Sequence, residues 1–521
     1  MNSKQLRFAG TFAAGIALAG TSATAGTFTG PSSSATPYVV PTIAGVDITS
    51  ILTTGDSVGG YQMTGIPDGL GAFSNGDGTF TLLMNHELTR TQSIVRDHGA
   101  AGAFVSEWRI NTGSLAVTFG DDQIKNLILT DVQAGDTAGG LSALQLGRLC
   151  SADLAAPSAY YNAASGLGTT ERIFMNGEEN GSEGRAFAHV VTGANDGTSW
   201  QLPALGRFSW ENSVAAPGSG DKTVVMGMDD TTPGQLYVYV GDKTNSGSEI
   251  DKAGLTNGSV FGVRVLGGAP ADEARATGFG AGKGASLDFD LVAQAPQTGV
   301  TGAALQTASE ASGVSEFLRP EDGAWDPNHP NDFYFVTTDR FNNPAPNEGR
   351  SRLWKMTFDD VSNPQAGGKL TMVLDGSEGQ QMFDNITIDK HGRILLQEDP
   401  GNNTHIAKIW SYDIATGTQA VIAQFDPARF GTPAQAPFNN DEESSGIIDV
   451  TDLFDPTGVT GKGYALFDAQ AHYANGATLV EGGQLMLMTY DLNVVPEPGT
   501  AVLMMLGLAG LASSRANRGK R

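Results

Sequence analysis

The sequence predicts an all-β fold: a six-bladed β-propeller with loop insertions, followed by a C-terminal apolar sorting helix. Three observations predict it. The chain has 69 glycines in 521 residues and almost no sustained helical periodicity. Short Val/Ile/Leu/Phe/Tyr runs alternate with Asn/Asp/Gly turns, the pattern of strands joined by tight connections. One shape also recurs six times: an apolar strand ending in an acidic or polar group, a turn, and a second strand. The six are residues 80–87 (FTLLMNHE); 172–179 with 185–191; 224–230 with 235–240; 333–339 with 352–358; 394–399 with 407–414; and 464–472 with 484–491.

A further short strand precedes each unit, with a polar residue near its start: Asp68, Cys150, Glu211, Glu321, Asp384 and Glu443. Six strand units that cannot bury their own faces stack radially. The innermost strands then line a central channel and bring these six residues to one mouth. Two stacked β-sandwiches would draw on the same strand pattern. Residues 267–315 are Gly/Ala-rich, weakly patterned, and read as an insertion.

The two ends carry targeting signals. Lys4 and Arg7, an apolar stretch over residues 8–20 and the Ala23-Thr24-Ala25 pattern before Gly26 make a cleavable signal peptide of residues 1–25. The apolar run is shorter than the ~20 residues a membrane span needs. At the other end, Pro496-Glu497-Pro498 precedes an apolar run over residues 501–512 and a basic end of Arg515, Arg518, Lys520 and Arg521. That order resembles the bacterial PEP-CTERM sorting signal, here over residues 494–521. The resemblance implies an exosortase-type sorting enzyme as partner, with transient membrane anchoring through residues 501–512. The expected destination is the envelope or extracellular surface of a Gram-negative-type bacterium. Residues 26–493 form the body between these ends.

Both termini are basic. The body between residues 26 and 500 carries 25 basic against 56 acidic residues, a net −31. That charge argues against nucleic acid and anionic lipid as partners and suits cation binding. Cys150 is the single cysteine, so no internal disulfide is possible, and the fold must rely on its core or on metals.

Five carboxylates and one thiol brought to one mouth repel unless cations neutralise them or they share protons. Oxygen-rich ligation suits Ca²⁺; a thiolate suits a softer redox metal such as iron. Arg319, two residues before Glu321, falls on the same face of an extended strand. A guanidinium beside cations is a receptor for a phosphate dianion, or a salt bridge that holds Glu321. His98, His189, His329, His391 and His405 lack metal-ligand spacing and read as surface or packing residues.

Asn85-His86-Glu87, Cys150, Glu178-Glu179, Gly206-Arg207-Phe208 before Glu211, Arg319-Pro320-Glu321, Asp384-Asn385 and Glu443-Ser444-Ser445-Gly446 together resemble the PhoX family of bacterial alkaline phosphatases over most of residues 60–475. The resemblance implies a six-bladed propeller with an iron and calcium cluster at the funnel. It implies iron ligation by Cys150, Glu179 and Glu211, and calcium or bridging roles for Asp229, Glu321, Asp384 and Glu443. Asn85 and Arg319 would contact the phosphate of a phosphorylated small-molecule substrate. The choice within Glu178/Glu179, Asp229/Asp230 and Glu442/Glu443 stays open. Two departures stand out: the family usually has Cys-Glu-Glu where this chain has Asn176-Gly177-Glu178-Glu179, and it tends to have His where Trp210 stands. The expected activity is metal-assisted hydrolysis of phosphate monoesters. The rival from another class is a non-catalytic, calcium-stabilised propeller serving in the extracellular matrix or in adhesion.

Overall fold

A computed structural model describes residues 25–341 and 351–492. The expected signal peptide and the apolar sorting helix lie outside those residues. Among the described residues, no helix is long and apolar enough to cross a membrane.

The architecture is all-β and propeller-like. Four sheets of four or five strands stand separately, and a ten-stranded sheet supplies two further hairpin units. The innermost strands are Pro67–Ser74, Leu149–Asp153, Trp210–Ala215, Pro320–Trp325, Phe383–Ile388 and Glu442–Asp449. Each packs beside the next, and the last packs beside the first, so they enclose a channel.

The packing follows from strand alternation. On Thr79–His86, Leu82 and Met84 point into one apolar cluster, shared with Ile51, Leu466 and Leu485 of the last unit. Leu83 points the other way, into a cluster with Leu149, Phe174 and Phe187 of the second unit. Middle strands are thus buried on both faces, which is why the recurring strands read as continuous apolar runs. Six such clusters lie between successive units.

The ring is closed by pairing of distant chain segments. Val46–Thr53 pairs antiparallel with Glu481–Asp491, and Gly26–Thr29 adds parallel to its outer side. Val39–Pro41 extends the fifth unit by pairing with Gln419–Phe425. Tyr38 is buried against Phe430 and Phe438. Tyr38→Ala, which empties this clasp, is expected to cost about 3 kcal/mol in equilibrium unfolding.

The weakly patterned stretch 267–315 is more ordered than its composition implies. Ser286–Ala293 pairs with Ser259–Leu266 on one side and Gly368–Leu374 on the other, bridging the third and fourth units. A helix, Gly302–Ser312, follows; the Thr301 side chain caps its start and Gly313, in the left-handed region, ends it. Leu305 anchors it in the core beside Leu205 and Tyr237. Its small residues give only a weak amphipathic signal, because tertiary packing rather than periodicity holds it.

Candidate metal and phosphate site

The six inner strands share one local device. In the first five, two consecutive residues stand opposite a single residue of the neighbouring strand: Asp68-Gly69, Cys150-Ser151, Glu211-Asn212, Glu321-Asp322 and Asp384-Asn385. These β-bulges bend the strand and re-aim side chains. In the sixth strand the irregularity falls at Gly446, beyond Glu443. Non-glycine residues with positive φ stand two positions before four of the mouth residues: Ile66 (51°), Arg148 (44°), Arg319 (60°) and Met382 (47°). Left-handed backbone at non-glycine residues is costly and is retained where surrounding structure holds it.

The result is one pocket lined by Asp68, Glu87, Cys150, Glu179, Glu211, Asp230, Glu321, Asp384, Asp399 and Glu443, with Arg148 and Arg319. All six residues anticipated at the channel mouth are there. Each is the second residue of its strand rather than the first. No Ser, Thr or His is among the described lining residues.

Within each ambiguous pair, one residue faces the pocket and the other is committed elsewhere. Glu178 pairs with the buried Arg185 at 2.5 Å, leaving Glu179 in the pocket. Asp229 accepts a hydrogen bond from the Ser209 N–H at 3.2 Å, so Asp230, not Asp229, lines the site. Glu442 accepts from the Ala407 N–H at 3.2 Å, while Glu443 faces the channel.

Asn85 is buried outside the pocket. Its amide donates to the carbonyls of Cys150 (2.6 Å) and Ser151 (3.3 Å), and its Oδ1 accepts from Asn176 at 2.9 Å. Asn176 bonds His189, which bonds Ser199, so His189 belongs to a buried polar chain that holds the Cys150 segment.

The donor set fits cations. Asp68, Glu87 and Cys150 place ligand atoms within 4.8 Å of one another; so do Cys150, Glu179 and Glu211, and again Glu211, Asp230 and Glu321. Cys150 joins the first triad to the second, and Glu211 joins the second to the third. Asp68 Oδ1 is buried without a hydrogen-bond partner. Nine carboxylates face two guanidiniums here.

Electrostatics follow from that imbalance. Burial, reinforced by neighbouring carboxylates, holds Asp68, Glu211 and Asp384 well above the usual carboxylate range. Burial raises Glu321 likewise, against the opposing charge of Arg319. Glu179 and Asp399, raised chiefly by burial, are each pushed up to about 7. Burial also drives the Cys150 thiol well up, with Glu87 and Glu179 adding to it. Burial opposes ionisation of Glu443 too, but hydrogen bonding and charge from His472 bring it below its ordinary value. Without cations these acids would keep protons; a bound cation reverses that preference.

The guanidiniums are matched. Arg319 reaches Asp230 through a two-pronged contact of 2.7 and 2.8 Å and lies 2.9 Å from Glu321. It does so from a left-handed residue just before the strand, not through strand alternation. Arg148 occupies the equivalent place before Cys150, 2.8 Å from Glu87 and in contact with Glu179. The equal spacing of Arg148 to Cys150 and Arg319 to Glu321 was the available signal for Arg148. Glu87 and Asp399 end recurring strands and were visible as such, but nothing in the sequence aimed them inward.

Below the mouth lies a second polar layer from the partners in the bulges. Asn212 donates to Asp322 at 2.6 Å, and Asn385 donates across the channel to Ser151 at 2.6 Å. The Ser151 hydroxyl in turn donates to Glu211 at 2.6 Å. Consecutive polar residues at the strand starts (Cys-Ser, Glu-Asn, Glu-Asp, Asp-Asn) were the sequence trace of this layer.

Residues 191–425 match the family model "Alkaline phosphatase PhoX". That segment is similar to the PhoX family. Residues 494–518 match the PEP-CTERM protein-sorting motif. Among solved structures, Pseudomonas fluorescens PhoX in complex with vanadate, a transition state analogue, has a TM-score of 0.60 at 14% identity, covering 86% of this chain and 95% of that one. The likeness supports the shared fold. A GH93 α-L-arabinofuranosidase of Fusarium graminearum (TM-score 0.39, 9% identity, 83% and 95% covered) and the NanB sialidase of Streptococcus pneumoniae (0.34, 8%, 85% and 70%) are more distant. Curated protein sequences offer no match.

The two departures from the PhoX pattern touch each other. A Cβ on Gly177 would lie 2.3 Å from the Cβ of Trp210, and Trp210 stacks on Phe208 at 3.9 Å. Glycine at 177 therefore makes the room that tryptophan at 210 occupies. Gly177→Ala is expected to destabilise by about 1–3 kcal/mol through this clash. Thermal unfolding should show the penalty largely undiminished when Trp210→His is added, because histidine keeps the Cβ and Cγ that lie 2.3 and 2.6 Å away.

Proposed function

We propose that this protein is an exported six-bladed propeller that hydrolyses phosphate monoesters at a cation-loaded funnel. The ten-stranded sheet counts as two blades, bridged by Ser286–Ala293. The observation that carries the reading is the pairing of three linked ligand triads with two guanidiniums at one mouth. In a cation scaffold Arg148 and Arg319 would serve only to offset their acids; at a phosphate site they would also supply donors to its oxygens.

Cys150, Glu179, Glu211, Glu321, Asp384 and Glu443 would hold the metals, joined by Asp68, Glu87 and Asp230, with Asp230 in the role first assigned to Asp229. Calcium suits the oxygens and iron suits the thiolate side. When bound, such ions would neutralise the carboxylates and polarise phosphoryl oxygens. Arg319 and Arg148 would take the phosphate oxygens in two-pronged contacts, releasing part of their present pairing with Asp230 and Glu87. Asn85 would act as a positioning residue, fixing the backbone of Cys150 and Ser151. Ser151 would hold Glu211 in one orientation.

The test is turnover of p-nitrophenyl phosphate by the purified protein, with metal content measured on the same sample. Turnover that disappears with chelation supports the reading. Full cation loading without turnover would overturn it and leave the matrix or adhesion role.

A further inference from the structure

Both ends of the described chain leave the same face, and that face is opposite the pocket. Glu442–Asp449 runs from the pocket outward, with Glu443 lining the mouth and Asp449 at the far end. Its neighbour Lys462–Ala474 runs back, placing Lys462 far from the mouth and Gln470 beside Glu443. Glu481–Asp491 then runs outward again, pairing Asp491 with Lys462. The last described residue, Leu492, is pinned at the far face: its N–H donates to the Gly461 carbonyl at 3.0 Å, and its carbonyl accepts from Arg393. At the other end, Gly26 pairs with Asp47, and the adjoining Val46 pairs with Tyr490, so the N-terminus also emerges there.

We infer that this far face is the one the sorting tail holds toward the lipid bilayer, so that the acidic pocket opens away from the membrane. The inference depends on reading residues 494–518 as a sorting tail. Eight residues, 493–500, separate Leu492 from the apolar run, and their covalent reach is at most about 28 Å. The inner strand of eight residues makes the body about 25 Å deep along the channel. A tether whose full extension only about matches the depth of the body leaves the pocket face little access to the bilayer. Val459, 82% exposed, stands in the loop before Gly461 and so beside the exit of the chain. Adsorption through charge is disfavoured, because the body is strongly acidic and the nearby lysines are taken up in pairs, Lys390 with Asp452 and Lys462 with Asp491. The tether, not surface attraction, therefore sets the orientation.

The chain from Gly26 to Arg521, reconstituted into neutral-lipid vesicles, tests this. V459C marks the far face. S182C marks the pocket face, since Ser182 is exposed in the loop after Glu178 and Glu179. Each is labelled with a donor dye, the unsubstituted chain being the blank because its Cys150 is buried. Energy transfer to an acceptor lipid should be at least about twofold greater from V459C, given a separation near one strand length. Co-flotation with equal or reversed transfer would overturn the orientation alone. Failure of the chain to float with the vesicles would overturn it through the tail reading.

Discussion

Chelation of divalent cations is expected to abolish p-nitrophenyl phosphate hydrolysis and to lower Tm, with Ca²⁺ restoring both. Nine carboxylates share one pocket with two guanidiniums; five of the nine are buried and the other four partly so. Without cations they must repel or hold protons. The metal-free protein should also show a characteristic pH dependence. In the folded state burial raises Asp68, Glu211, Glu321 and Asp384 well above their ordinary range, and Glu179 and Asp399 to about 7. A carboxyl whose folded value exceeds its unfolded value contributes most below the unfolded value, and that contribution is lost as pH rises. The metal-free Tm is thus expected to fall by about 5 °C or more between pH 5 and pH 8. With Ca²⁺ bound the same interval should be nearly flat. Scanning calorimetry at several pH values, with and without Ca²⁺, checks this. A metal-free Tm that rises over the interval would contradict the buried-acid account.

Arg319→Ala is expected to lower kcat/KM for p-nitrophenyl phosphate by roughly 10²–10³-fold, the cost of removing one donor aimed at developing charge. Arg319→Lys should recover only part of this, because an ammonium keeps the charge but not the two-pronged geometry seen toward Asp230. Arg319 also offsets Asp230 and Glu321, so Tm at saturating Ca²⁺ must be measured beside the kinetics. A role confined to holding Glu321 predicts a lower Tm with kcat/KM unchanged, and that outcome would remove Arg319 from phosphate binding.

Much of this site could be read from the chain, and the parts that could not share a cause. Asp68, Cys150, Glu211, Glu321, Asp384 and Glu443 were legible because each marks the start of a recurring strand, and repetition aligns equivalent positions in space. Asp229 was named with the choice against Asp230 left open, and it is the neighbour one residue on, Asp230, that lines the pocket. Side-chain direction inverts at each step along a strand, and a strand end has no periodicity to fix its phase. Asn85 was expected at the phosphate but turns to the Cys150 and Ser151 carbonyls, because it stands opposite the Asp68-Gly69 bulge. Bulges leave little sequence trace, and they decide which of two neighbours faces the channel.

The sequence by itself determined the all-β pattern, the six mouth residues, the acidic charge and the sorting motif near the C-terminal end. Each is a property of composition, order or period, which are linear. The tertiary structure decided the rest: the meeting of Arg148 with Arg319, the choice within each acidic pair, the fit of Gly177 to Trp210, and the shared exit of both termini opposite the pocket. Those depend on bulges, left-handed residues and ring closure between residues hundreds of positions apart. Only a closed fold sets such distances.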